Sequence, residues 1–194
     1  MNDEVNRSDA DTDISGPPVV EPALEYDLEK AAAFKAGLEA QQNLPMAIAG
    51  GLGAALVGGA LWATVTVVTH YQIGWMAVGV GFLVGIVVRS LGKGLTKPFG
   101  IVGGACALLG CALGNVFSVM GFLSYEESIP LTQVVISVLN QPAAFGQLLF
   151  ATMSPMDFLF YAIAVYEGYK FSFREITADE LSSLMKPVEQ PSAA

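Results

Sequence analysis

Polar and apolar positions separate into blocks along this chain. Residues 40 to 88 contain no Asp, Glu, Lys or Arg, and neither do residues 98 to 125 or 128 to 156. About 20 apolar residues in a helix cross the hydrocarbon core of a bilayer. Lipid cannot satisfy an open backbone, so such blocks are expected to be helical. A β-barrel strand would alternate strictly between apolar and polar residues, and the block from Val78 to Val88 does not. Four spans are predicted, at about 45–69, 73–91, 99–123 and 156–173.

The punctuation between the blocks supports these limits. Asn43 is placed to cap the first span, with Pro45 in its first turn. Thr69-His70-Tyr71-Gln72 leaves room only for a tight hairpin, and Tyr71 and Trp75 suit an aromatic belt there. Arg89 to Pro98 is short, basic and rich in helix breakers. Ser154-Pro155-Met156-Asp157 has the order of a capped helix start. Ser128–Asn140 and Pro142–Thr152 read as two short apolar helices. The two prolines and several amides of 129–151 make it a poor fifth span, so it is read as outer-face interfacial or re-entrant helices.

The basic residues decide orientation. All nine fall in three groups: Arg7, Lys30 and Lys35; Arg89, Lys93 and Lys97; Lys170, Arg174 and Lys186. Four spans put every group on one side, as the positive-inside rule requires, whereas five would split them. The expected fold is therefore an all-α membrane protein with four transmembrane helices and both termini cytoplasmic. An acidic disordered tail (1–21) and a juxtamembrane helix (22–43) precede the membrane domain (44–174), and a cytoplasmic tail (175–194) follows it.

Composition agrees: 53% of residues are hydrophobic and only 14% charged, against about a quarter charged in soluble domains. Residues 1–43 hold ten acidic and three basic side chains, which disfavours nucleic-acid binding. Cys106 and Cys111 lie five apart in one span, on different helix faces, which argues against a mutual disulfide. With one histidine in the chain they make no zinc site, and no metal or cofactor is expected.

Candidate chemistry is sparse. No P-loop, His-Glu-x-x-His motif, nucleophile elbow or intramembrane acid pair occurs, so no enzyme is expected. The candidate functional polar residues are Glu167, one turn before Lys170 and expected to pair with it or with the basic 89–97 loop, Asn115 in the middle of span three, and Arg89 at the end of span two, expected to snorkel to the headgroups. Thr64 and Thr66 lie within span one, and His70 in the outer turn. Small residues repeat at four-residue spacing: Ala77-xxx-Gly81-xxx-Gly85, Gly100-xxx-Gly104 and Gly110-xxx-Gly114. Such faces let helix backbones approach closely, within one bundle or between chains. The expected partners are the lipid bilayer and other membrane proteins or further copies of this chain.

The stretches YQIGWMAVGVGF (71–82) and FYAIAVYEGYKF (160–171) resemble a group of small uncharacterised bacterial inner-membrane proteins, some with an N-terminal zinc ribbon. This chain departs from those members, since no cysteine precedes Cys106. The resemblance covers about residues 44–176 and implies a bacterial inner-membrane setting without an activity. The functional expectation is a structural or accessory subunit of a membrane assembly, packed through its glycine faces. The alternative is a small transporter or channel subunit.

Overall fold

A computed structural model describes residues 24–26, 28–182 and 184–187. The expected acidic tail, 1–21, lies outside the described residues. The rest divides into two compact units, one of residues 33–176 and one of the described residues before 33 and after 176.

In the terminal unit, β1 (Leu24–Tyr26) pairs antiparallel with β2 (Met185–Pro187), with Glu25 opposite Lys186. This departs from the expectation of one helix over 22–43, because α1 covers only Leu28–Ala40. Three residues are too few to nucleate a helix, and pairing with a second segment gives them backbone partners instead. α8 (Ala178–Ser182) lies in the same unit, within the expected C-terminal tail.

The larger unit is built on α2 (Leu44–Thr69), α3 (Trp75–Gly92) and α4 (Lys97–Glu126). Among the described residues, these three helices are each long and apolar enough to cross a membrane. Asn43 caps α2 by accepting from the Met46 N–H at 3.0 Å. α3 ends where Lys93 turns left-handed, at φ 49°.

α7 (Pro155–Lys170) is shorter than the predicted fourth span, with 16 residues, or roughly 24 Å. It begins with a capping box between Ser154 and Asp157. Its first turns meet the start of α3, where the Phe160 and Trp75 rings are 5.8 Å apart. Beyond its last turn, the Arg174 N–H donates to the Gly94 carbonyl at 2.9 Å. Residues 155–174 thus run the length of α3, the turn 171–173 supplying what the helix lacks.

α5 (Leu131–Asn140) and α6 (Pro142–Thr152) meet at a bend of 108°. Pro142 follows the break, and its ring prevents α5 from continuing. The pair leaves from the far end of α4 and returns to the start of α7, which lies at the same end of the bundle. It is an elbow rather than a crossing.

The packing of the bundle is inverted relative to a soluble protein. Ala47, Ala55, Ala77, Ala107 and Ala164 are fully buried, while Val57, Leu61 and Ile101 are 55–63% exposed. Small residues let backbones approach, and large apolar side chains face outward, where only lipid makes their exposure favourable. α2 and α7 each pack on both α3 and α4.

Candidate functional site

Each small-residue face meets a helix of the same chain. A Cβ on Gly81 would lie 2.4 Å from the Ala164 carbonyl oxygen, and one on Gly85 2.8 Å from the Phe171 Cβ. Ala77 is fully buried on the same stripe. α4 divides its glycines between two partners. Gly100 faces Tyr169 and Phe173, and Gly104 faces Val165. Ten residues further on, Gly110 meets Ala55 and Gly114 makes room for the Trp62 ring. The stretches 71–82 and 160–171 also meet here. They form the α3–α7 seam, where Gly81 abuts Ala164 and the Phe82 and Phe171 rings are 5.0 Å apart.

The end of the bundle carrying the 93–96 turn gathers Arg89, Lys93, Lys97, Lys170 and Arg174. The Asn43 N–H donates to the Gly92 carbonyl at 2.9 Å, and Arg174 Nη1 to Gln41 Oε1 at 3.3 Å. Arg89, expected to reach toward headgroups, pairs with Glu175 at 3.0 Å instead. The partner is exposed, so this bridge adds little stability. Glu167 is half-buried, and its carboxylate makes no hydrogen bond or ion pair among the described residues. The expected pairing with Lys170 is not formed. The Lys170 ammonium lies 5.6 Å from the Tyr166 ring centroid and 5.7 Å from that of Phe171. In a belt of aromatic rings a cation has these faces within reach as readily as the carboxylate one turn back.

The opposite half of the bundle holds a buried polar cluster, the best candidate site. Asn115 stands at its centre, 5% exposed. Its Oδ1 accepts from Gln72 Nε2 at 3.0 Å, and its Nδ2 donates to the Tyr161 hydroxyl. One amide thus joins the α2–α3 turn, α4 and α7. Asp157 is buried one turn before Tyr161, and the Ser118 hydroxyl donates to the Gly114 carbonyl at 2.7 Å. Trp62 stands edge-on to Tyr161, with centroids 6.3 Å apart. Trp62 Nε1 and Thr66 Oγ1 are buried and lack hydrogen-bond partners among the described residues. They sit one turn apart on the same face of α2. An unmatched indole donor beside an unmatched hydroxyl can hold a small polar molecule, water included.

Of the polar residues singled out in the sequence, only Asn115 and Thr66 belong to this cluster. Thr64 bonds back to the Ala60 carbonyl at 2.8 Å. His70 caps α2 at φ 59° and packs on Phe122 and Tyr125. Tyr161, Trp62 and Gln72 were not singled out. Asp157 and Tyr161, four apart on one face of a predicted span, were the available signal. Cys106 and Cys111 are separate buried thiols. No group of three metal-ligating side chains occurs among the described residues.

Small residues inside, large apolar residues outside and buried amides bonded across helices define a multi-pass, all-α membrane protein. Comparison with protein-family models, curated proteins and solved structures finds no match to this chain.

Proposed function

We propose that this chain is a non-enzymatic accessory subunit of a bacterial inner-membrane assembly, with both termini cytoplasmic. The observation that carries this reading is the α5–α6 elbow. Its Leu131, Ile136, Leu139 and Phe150 are 53–74% exposed, at one end of a bundle whose own glycine faces are already occupied. A second membrane protein would therefore bind the elbow rather than a glycine seam. The basic side chains at the 93–96 end favour a cytoplasmic location for it and an outer location for the elbow. The resemblance of residues 71–82 and 160–171 supports the bacterial setting. A photoreactive residue at Ile136 or Leu139, activated in native membranes, should give one discrete protein adduct. An adduct of twice the mass would make the partner a second copy. Lipid adducts alone, with a monodisperse monomer in mild detergent, would overturn the proposal.

One observation favours a second reading, a small transporter subunit. The unmatched Trp62 indole and Thr66 hydroxyl are buried on α2, with Trp62 edge-on to the Tyr161 that Asn115 bonds, at membrane depth, where polar groups are costly to leave unpaired. Liposome flux tests it. Flux that is insensitive to both Thr66→Val and Glu167→Gln would remove these residues from any pathway.

A further inference from the structure

A groove of about 480 Å³ runs down the outer surface between α4 and α7. That lies within the roughly 300–1,000 Å³ of small-molecule sites. Its walls are apolar, formed by Gly100, Gly104 and Leu108 on one side and by Val165, Tyr166 and Tyr169 on the other. Gly100 and Gly104 let Tyr169 and Val165 close against α4, and these side chains form the floor of the groove.

Two cations stand at one end of this groove. Lys97 precedes Gly100 by three residues and Ile101 by four, which puts it on the groove face of α4. Lys170 lies over the ring of Tyr166, itself a wall of the groove. Both lysines are exposed, and neither forms an ion pair among the described residues. Lys97 also occupies the first position of α4, where the helix dipole disfavours a positive charge and favours an anion. The preceding Thr96 gives that helix no side-chain cap; its hydroxyl donates to Gln42 Oε1 at 3.3 Å. An anion between the two lysines would meet both charges and the open end of α4.

We propose that this groove binds one anionic phospholipid of the surrounding bilayer. An acyl chain lies along Gly100, Gly104 and Leu108, and the phosphate sits at the Lys97 and Lys170 ammonium groups. A lipid fits better than a soluble ligand because the groove opens on the face that carries Ile101 and Leu108, which only hydrocarbon covers. The site lies at the other end of the bundle from the α5–α6 elbow and does not depend on it.

Native mass spectrometry of the full chain, released from mixed phosphatidylglycerol and phosphatidylcholine, tests the proposal. The wild type should retain phosphatidylglycerol preferentially. Each lysine should contribute about five-fold to that preference and the pair roughly thirty-fold, so Lys97→Ala with Lys170→Ala should abolish it. Lys93→Ala, at the same end but off the groove, should leave it intact. Ala105→Trp or Ala162→Trp, at exposed positions in the groove wall, should lower total lipid retention. The proposal is overturned by a wild type with no preference. An equal loss in Lys93→Ala would overturn it too, as would full retention in folded tryptophan variants. If those variants do not fold, the comparison of the lysine pair with Lys93 decides alone.

Discussion

Alanine at Gly81 should force α3 and α7 apart. The new Cβ would sit 2.4 Å from the Ala164 carbonyl oxygen and 2.8 Å from the Ala164 Cα, where ordinary contact begins at 3.4 Å. Both obstacles are backbone, so no side chain can swing aside and the helix itself must retreat by about 1 Å. A gap of that size forfeits a quarter to a half of each dispersion contact along the seam. Overpacking of this kind costs about 1–3 kcal/mol. Against it stands a gain of about 0.8–1 kcal/mol in helix propensity when glycine becomes alanine. Gly79→Ala isolates the two effects. It lies two residues away on the same helix, gains the same propensity, and its Cβ would meet nothing within 4 Å. The stability difference between the two variants should therefore be the overpacking cost alone, about 1–3 kcal/mol in favour of Gly79→Ala. Reversible unfolding in mild detergent with rising dodecyl sulfate, followed by the fluorescence of Trp62 and Trp75, measures it. If both variants shift alike, the close approach of α3 and α7 is wrong.

Other outcomes follow from single features. Tyr161→Phe removes the acceptor of the Asn115 amide and should destabilise the fold by about 0.6–1.7 kcal/mol, the range for hydrogen bonds between membrane helices; an unchanged unfolding midpoint would detach Tyr161 from the cluster. Lys93→Gly relieves a left-handed residue at φ 49° and should raise stability by roughly 1 kcal/mol, read from the same titration. Cys106 and Cys111 are buried and should resist a thiol reagent until the bundle unfolds; rapid labelling of the native protein would contradict the packing of Cys106 on Gly51. In a cysteine-free background, an impermeant reagent should reach cysteine placed at Glu127 from the outside and at Lys93 only after permeabilisation; the reverse pattern would invert the proposed orientation.

The long helices were legible because charge is so costly in lipid that its absence over 40–88 and 98–125 admits little else. Helix ends were legible where a cap marks them, as Asn43 and Ser154 do. The end of α7 was not, because Tyr169 to Phe173 is an aromatic belt in any conformation, and the turn there depends on the Gly94 carbonyl, far away in the chain. The small-residue spacing of Ala77, Gly81 and Gly85 identified a close-packed face, but spacing carries no information about which helix fills it. Asn115 was visible as a polar residue within a span. Trp62 and Tyr161 were not, since each reads as apolar bulk until the register between α2, α4 and α7 brings indole, amide and phenol together. Glu167 and Lys170 show the opposite error, because a three-residue spacing permits an ion pair without selecting it over two neighbouring rings. The β1–β2 ribbon had no signal, being three residues at each end of the chain held by pairing alone.

The bond from the Arg174 amide to the Gly94 carbonyl also sets a clock on biogenesis. Arg174 is synthesised about 80 residues after Gly94, or roughly 4–16 s later at 5–20 residues per second. From Glu126 onward, for roughly the last 48 residues of that interval or about 2–10 s, α2, α3 and α4 are already made, yet the groups that α7 will cover, from Gly81 on α3 to Gly103 on α4, still face lipid. The nascent chain therefore passes through a three-helix state with an open, glycine-lined flank. Any insertion factor or chaperone that attends it has that flank to hold, and must let go when residue 174 arrives.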